Sequence, residues 1–335
     1  MNRVLYLDRF GDPSNFRLGE AVPASPGPGE VLLRQHVLGV NFVDLYDRRG
    51  TGIVKELPAI IGREGVGVVE AVGDGVSDFR PGMRAGYTST AGAYRDRRIV
   101  AADRLVPIPE GVPDTVACPL LMRGMTAHYL VHEVGNLAPG KTALVYGAAG
   151  GVGSILAQWA KTLGVHVIGV ASSAQKRAAA SAWCDAVCSY DREEILSAVR
   201  AAGDGRGVHV AFDSVGRDTF EISLAALRVR GTFALYGLSS GKPDPFDVAR
   251  LGEGSFTLTR CSMGHFTATP ADRRARSAAV YAAYLAGAFR LPAIDAFALE
   301  EAGDAHRAME DRRSVGPVVL TLQVPAGQTA GLRLP

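Results

Sequence analysis

The residues of this chain best suited to chemistry form one glycine-rich run, Gly147-Ala148-Ala149-Gly150-Gly151-Val152-Gly153. Its glycines fall at 147, 150, 151 and 153, a departure from the strict G-x-G-x-x-G spacing. Without Cβ atoms a backbone can approach phosphates closely, and a helix starting there adds free N–H groups and a positive dipole end. The flanks supply that setting. Ala143-Leu144-Val145-Tyr146 reads as a buried strand, and Gly151 to Leu163 as a helix. A dinucleotide pyrophosphate sits at such a junction. Taken without its flanks, the run is weak evidence, with a plain structural turn as the alternative.

An NAD site usually places Asp or Glu about twenty residues further on, against the ribose 2′-hydroxyl. Here that stretch is Val170-Ala171-Ser172-Ser173-Ala174-Gln175-Lys176-Arg177, and it holds no acid. Two hydroxyls and two cations suit a 2′-phosphate instead, which points to NADPH. The alternative is that Lys176 and Arg177 only solvate the start of a helix.

The elements that must position these residues alternate. After the glycine run come a strand at Val165–Val170, a helix at Ala174–Trp183 and a strand at Val208–Phe212. A helix near Asp218–Leu227 and a strand at Thr232–Tyr236 follow. Such alternation means βαβ units and a parallel sheet. The first part is instead β-rich, with short apolar runs at Val31–Leu33 and Gly65–Glu70 between turn signals. After about Gly254 the alternation ends. Phe256–Arg260 and Val318–Leu320 read as strands, Arg273–Leu285 as a helix, and Pro325–Pro335 as a loose tail. The parallel unit is therefore an insert within the other domain.

Gly140-Lys141-x-x-Leu144, Ala148-Ala149-Gly150-Gly151-x-Gly153 and Gln158-x-x-Lys161 together resemble the signature of the NADPH:quinone oxidoreductase and ζ-crystallin family, zinc-independent members of the medium-chain dehydrogenase/reductases. The likeness continues in Gly39-Val40-Asn41-Phe42-Val43-Asp44-Leu45-Tyr46-x-Arg48-x-Gly50 and in the turn Gly62-Arg63-Glu64-Gly65-x-Gly67. Asp213-Ser214-Val215-Gly216 and Gly237-Leu238-Ser239-Ser240-Gly241 fall where family members line the nicotinamide pocket. The resemblance spans Val4 to Leu322.

It implies an α/β fold in which a GroES-like domain, residues 1–124 and 256–335, encloses a doubly wound Rossmann domain, residues 125–255. It implies NADPH in a cleft between the domains, held by the loop Gly150, Gly151, Val152 and Gly153. Asn41 and Tyr46 would flank the nicotinamide and the acceptor, and Thr126 would contact the carboxamide. Ser172, Lys176 and Tyr190 would surround the 2′-phosphate. Ser214, Leu238 and Ser240 would line the nicotinamide side, and Arg260 and Arg312 would reach the cofactor from the returning segment. Asp44, Gly52 and Leu238 would shape the acceptor pocket, with Gly52 opening volume and Leu238 greasing a wall. Taken singly, Asn41 also reads as a turn residue, the tyrosines as core aromatics and the arginines as solvated surface; the shared spacing favours the functional reading. His128 stands where relatives carry an apolar or aromatic residue.

Zinc needs about four Cys, His or carboxylate ligands within reach. Arg63 replaces the His of zinc enzymes, no Cys lies in Val40–Asp44, and Cys118, Cys184, Cys188 and Cys261 are scattered, so no metal is expected. Without a Lewis acid, an already electrophilic acceptor fits, a quinone or other conjugated carbonyl. An enoyl or alkenal reductase, or an NADPH-binding protein with little turnover, are the alternatives.

The bulk numbers agree with a two-domain enzyme. The chain has 335 residues, 47% of them hydrophobic and 21% charged, with a net charge of +2. No basic run marks nucleic acid or an anionic membrane as a partner. Met1 to Phe10 carries Arg3, Asp8 and Arg9 and does not read as a signal peptide, so a cytoplasmic location with reduced thiols is expected. The family resemblance implies a homodimer, with Phe256–Thr259 as the edge that pairs.

Overall fold

The computed structural model describes residues 2–22, 24–311, 313–314, 316–322 and 332–334. The chain forms two units, one of residues 1–122, 267–285 and 291–335, the other of residues 123–266 and 286–290. The first contributes β1 (Arg3–Leu7), β2 (Phe16–Glu20), β3 (Glu30–Val40), α1 (Phe42–Arg48), β4 (Gly65–Val72), β5 (Arg84–Tyr87), β6 (Arg97–Ala101) and β7 (Val106–Pro107). The helix α2 (Asp114–Tyr129) carries the chain into the second unit. There follow β8 (Thr142–Tyr146), α3 (Gly151–Thr162), β9 (His166–Val170), α4 (Ala174–Ala180), β10 (Ala186–Cys188) and α5 (Arg192–Ala201). β11 (Val208–Asp213), α6 (Phe220–Ala225), β12 (Leu227–Leu235), β13 (Thr257–Arg260) and α7 (Met263–Phe266) complete it. The chain then returns to the first unit with α8 (Pro270–Leu285), β14 (Ile294–Ala298), α9 (Ala302–Glu310), β15 (Val318–Thr321) and β16 (Leu332–Leu334).

The second unit is a six-stranded parallel sheet in the order β10-β9-β8-β11-β12-β13. Numbered from β8, that order is 3-2-1-4-5-6, the doubly wound arrangement whose direction reverses between its first and fourth strands. Strands with both faces covered become apolar throughout, and all five residues of β8 are buried. The expectation that the first domain resumes at 256 does not match the chain path. Residues 257–260 join the second unit because β13 pairs in parallel with β12, Thr232 opposite Thr257 through Leu235 opposite Arg260. Of the tail expected to be loose, Leu332–Leu334 pairs antiparallel with β14, and the remainder lies outside the described residues.

The first unit is built around β3, which pairs antiparallel with β4, β6 and β15. Its ladder with β4 shifts register twice, at Leu32/Leu33 and Gln35/Val37, while β6 pairs with Glu30–Arg34 and β15 with Val37–Val40. Its alternation sends Val31, Leu33 and Val37 into the core. α1 leaves the end of β3 and is anchored at its last residue. The buried Arg48 guanidinium donates through Nε to His306 Nδ1 at 3.2 Å, and through its other nitrogens to Glu310 and the Gly11 carbonyl. His306, on α9, is wholly buried, and its Nε2 lies 2.9 Å from the Tyr94 hydroxyl.

Burial, with Arg48 and Arg49 nearby, pushes the His306 pKa down to about 3. In the unfolded chain the imidazole regains its ordinary value of about 6.5 and takes up a proton that the folded site rejects. This contribution is whole above about pH 6.5 and shrinks as pH falls toward 3, by about 1.4 kcal/mol per pH unit. His306→Asn removes the titration. Urea melts from pH 7 to 4.5 should therefore show the wild type losing stability more steeply than the variant; parallel losses would show that His306 does not titrate in this way.

Candidate functional site

In the second unit, Gly147 follows β8 at φ 66°, a left-handed conformation that glycine adopts without strain. The Gly150 N–H donates to the Gly147 carbonyl at 2.7 Å, and α3 begins at Gly151. Gly153 packs so closely under this turn that a Cβ there would lie 2.2 Å from the Gly147 oxygen. Among the described residues no side chain caps α3, so the N–H groups of Gly151, Val152 and Gly153 stand at the carboxyl end of the sheet.

The sheet reverses direction between β8 and β11, and the turn after β11 meets the glycine loop. A Cβ on Gly147 would lie 3.3 Å from Ser214 Oγ. Asp213, which the family resemblance places only within the nicotinamide-side run, holds that turn. Its buried carboxylate accepts from the N–H groups of Val215 (2.7 Å) and Gly216 (3.0 Å) and from the hydroxyls of Thr219 (2.7 Å) and Ser223 (2.8 Å). Burial raises its pKa and these four donors oppose the rise. Ser240, expected at the cofactor, staples the neighbouring loop. Its hydroxyl donates to the Val215 carbonyl at 2.9 Å and accepts from the Asp218 N–H at 3.1 Å. Leu238 is half-buried and packs beside Gly216.

Ser172 and Tyr190 each lie two residues beyond a paired position of adjacent strands, Val170 opposite Cys188. Ser172 is exposed, while Ser173 caps α4 by accepting the Lys176 N–H at 3.2 Å. Lys176 thus starts from the first turn of α4, on the carboxyl side of β9. Arg260 ends β13 with its guanidinium on the Cys261 carbonyl at 2.5 Å. The Thr126 hydroxyl donates to the Met263 sulfur at 3.6 Å. Arg312 lies outside the described residues.

In the first unit, Asn41 caps α1 and is held by two acids. Its backbone N–H donates to Asp44 Oδ2 at 2.8 Å, and its Nδ2 donates to Glu64 Oε1 at 3.2 Å. Glu64, fully buried, also accepts the Met122 N–H at 2.8 Å. It reaches Asn41 only because residue 39 is glycine, since a Cβ there would fall on the carboxylate. Tyr46, half-buried on α1, accepts the N–H groups of Thr51 and Gly52 at its carbonyl.

Two pocket expectations change. Asp44 is wholly buried and cannot touch a substrate in this structure; it closes the start of α1, and its Oδ1 has no hydrogen-bond partner. Burial, with Glu64 and Asp47 adding to it against Asn41 and Arg63, pushes its pKa up to about 8. Gly52 opens no volume. A Cβ there would lie 2.0 Å from Asp47 Oδ1 and 2.7 Å from the Asp47 nitrogen, so glycine is demanded by close approach.

Residues 27–140 match the alcohol dehydrogenase GroES-like domain and residues 151–280 the zinc-binding dehydrogenase domain. The chain is 38% identical over 326 residues to a 2-haloacrylate reductase of a Burkholderia species, covering 95% of this chain and 98% of that one. It is 36% identical over 325 residues to a quinone oxidoreductase of Pseudomonas aeruginosa, covering 96% and 99%. The structure of Escherichia coli quinone oxidoreductase complexed with NADPH matches with a TM-score of 0.90 at 31% identity, over 96% of this chain and 100% of that one. The chain belongs to the quinone oxidoreductase family. It is an oxidoreductase with a GroES-like and a Rossmann-type unit.

At the turn where zinc enzymes have His, Arg63 forms a two-pronged ion pair with buried Asp47, Nη2–Oδ2 2.6 Å and Nε–Oδ2 2.9 Å. Among the described residues, no three His, Cys, Asp or Glu side chains stand together in a way that could hold a metal ion.

The packing under the glycine loop yields a direct expectation. Gly153→Ala must displace either the Gly147 turn or the start of α3. NADPH binding, read by nucleotide fluorescence, should weaken at least about tenfold, the equivalent of ~1.4 kcal/mol. An unchanged Kd in a folded variant would show that the loop does not hold the nucleotide.

Proposed function

We propose that this protein binds NADPH and reduces a conjugated carbonyl acceptor, a quinone in the first instance, by hydride transfer without a metal. The observation that carries this reading is the switch point between β8 and β11, where uncapped α3 N–H groups meet the Ser214 turn beside an acid-free β9 loop bearing Lys176. Relatives seen with NADPH, including the E. coli quinone oxidoreductase, support the cofactor. NADPH supplies the hydride; the chain supplies position and electrostatics. The Gly150–Gly153 loop holds the pyrophosphate, and Ser172, Lys176 and Tyr190 hold the 2′-phosphate. Thr126, Ser214, Leu238, Ser240 and Arg260 border the rest. Asn41 orients the acceptor oxygen with the amide hydrogen that Glu64 leaves it, and the reduced acceptor takes its proton from Tyr46 or water. The Arg63–Asp47 ion pair, which occupies the metal turn, supports chemistry without zinc.

A second reading is favoured by the 38% identity to a 2-haloacrylate reductase. In it the hydride goes to an electron-poor C=C bond of the same class of conjugated acceptor.

We also propose a homodimer formed through β13, the last strand of the six-stranded sheet, since an open edge is a liability for a monomer. Light scattering showing only the 35.2 kDa chain would contradict it. Four free cysteines support a reducing, cytoplasmic setting, contradicted if fractionation finds the protein elsewhere. No helix among the described residues is long and apolar enough to cross a membrane.

Steady-state oxidation of the nucleotide with a panel of quinones and enones tests the function. Expected are turnover with NADPH at least about tenfold above NADH in kcat/KM, and rates unaffected by EDTA. Lys176→Ala should raise KM for NADPH and leave NADH unchanged. Faster turnover of enones than of quinones would select the second reading. No turnover with any acceptor, or activity lost to chelation, would overturn both.

A further inference from the structure

Beyond Thr126, α2 ends at Tyr129 and continues as one wide π-helical turn, Leu130–Val134. Such turns are uncommon and often accompany functional sites. His128, half-buried, and His132, exposed, stand about one turn apart on this segment, their ring centroids 4.7 Å apart and inclined at 51°. Both rings meet Trp159 of α3 edge-on, at 5.5 and 5.2 Å, and Trp159 is backed by Phe289 at 5.3 Å. The indole is a common wall that restricts both imidazoles. Nothing in the proposed reduction uses either histidine.

We propose that His128 and His132 bind one divalent late transition-metal ion, Cu(II) in preference to Ni(II) or Zn(II). A metal about 2.0 Å from a ring nitrogen lies roughly 3.2 Å from that ring's centroid. Two rings sharing one ion with their centroids 4.7 Å apart then subtend about 95° at it. That is a cis pair, suited to the tetragonal geometry that Cu(II) favours with imidazole ligands. Copper also stands highest in the affinity order for nitrogen ligands. Water completes the shell, so binding is weaker than in a closed four-ligand site, with a Kd on the order of 10 µM. The ligands must be neutral imidazoles, so metal binding releases protons. The site belongs to the second unit, whereas the Arg63–Glu64 turn belongs to the first.

Trp159 provides the readout. The chain holds two tryptophans, and the other, Trp183, donates its indole N–H to the Ala148 carbonyl in another part of the second unit. Titrating the untagged, purified protein with copper sulfate at pH 7 should quench emission saturably with one equivalent. Nitrogen hyperfine lines from two imidazoles should appear in the electron paramagnetic resonance spectrum. His132→Gln and His128→Gln should each weaken the quench at least about tenfold. His132 is exposed, so its variant isolates the ligand from the fold. The proposal is overturned if no saturable quench appears. It is equally overturned if quench and spectrum persist in His132→Gln, which would place the copper elsewhere, the thiols included.

Discussion

The contact between Gly153 and the Gly147 carbonyl sets the geometry of the second unit. With no room for a Cβ, the end of β8 and the start of α3 come together closely enough to aim uncapped N–H groups along the sheet's carboxyl edge. The strand order then decides what they meet. Because the sheet reverses between β8 and β11, the Ser214 turn borders the glycine loop, and Asp213 fixes that turn with four hydrogen bonds. Burying a carboxylate is tolerable only when its lone pairs are filled, and here each oxygen accepts two donors.

The first unit uses buried acids differently. Asp44, Asp47 and Glu64 are all wholly buried, and Arg63 pairs with Asp47. Asp44, pushed up to about 8, is largely neutral at pH 7, which relieves the repulsion among the three. Asp44 and Glu64 both end on Asn41, so the residue we propose to orient the acceptor is fixed through its backbone by one and its amide by the other. The same helix is pinned at Arg48 by His306 and Glu310.

Much of this was legible in the sequence. The glycine loop, the acid-free stretch after Val170 and the βα alternation report local constraints, but β10 and α5 were not read, β3 runs on to Val40, and β12 starts at Leu227 rather than Thr232. The roles of Asp44 and Gly52 were not legible. Both follow from packing around α1 that spacing cannot reveal: one side chain turns inward to cap its own helix, and one glycine lies against Asp47. The boundary near 256 misled because β13 reads simply as a strand, whereas its partner is set by register with β12. Asp213 lay in a recognised run, but its function as a turn organiser depends on Thr219 and Ser223 from the next helix.

We propose above all that the β9 loop with Ser172, Lys176 and Tyr190 receives a 2′-phosphate. Calorimetric titration with adenosine 2′,5′-bisphosphate and with 5′-AMP separates that phosphate from the rest of the cofactor. The bisphosphate should bind at least about tenfold more tightly, a difference of ~1.4 kcal/mol that shrinks as salt rises. Equal affinity for the two nucleotides at low salt would contradict it.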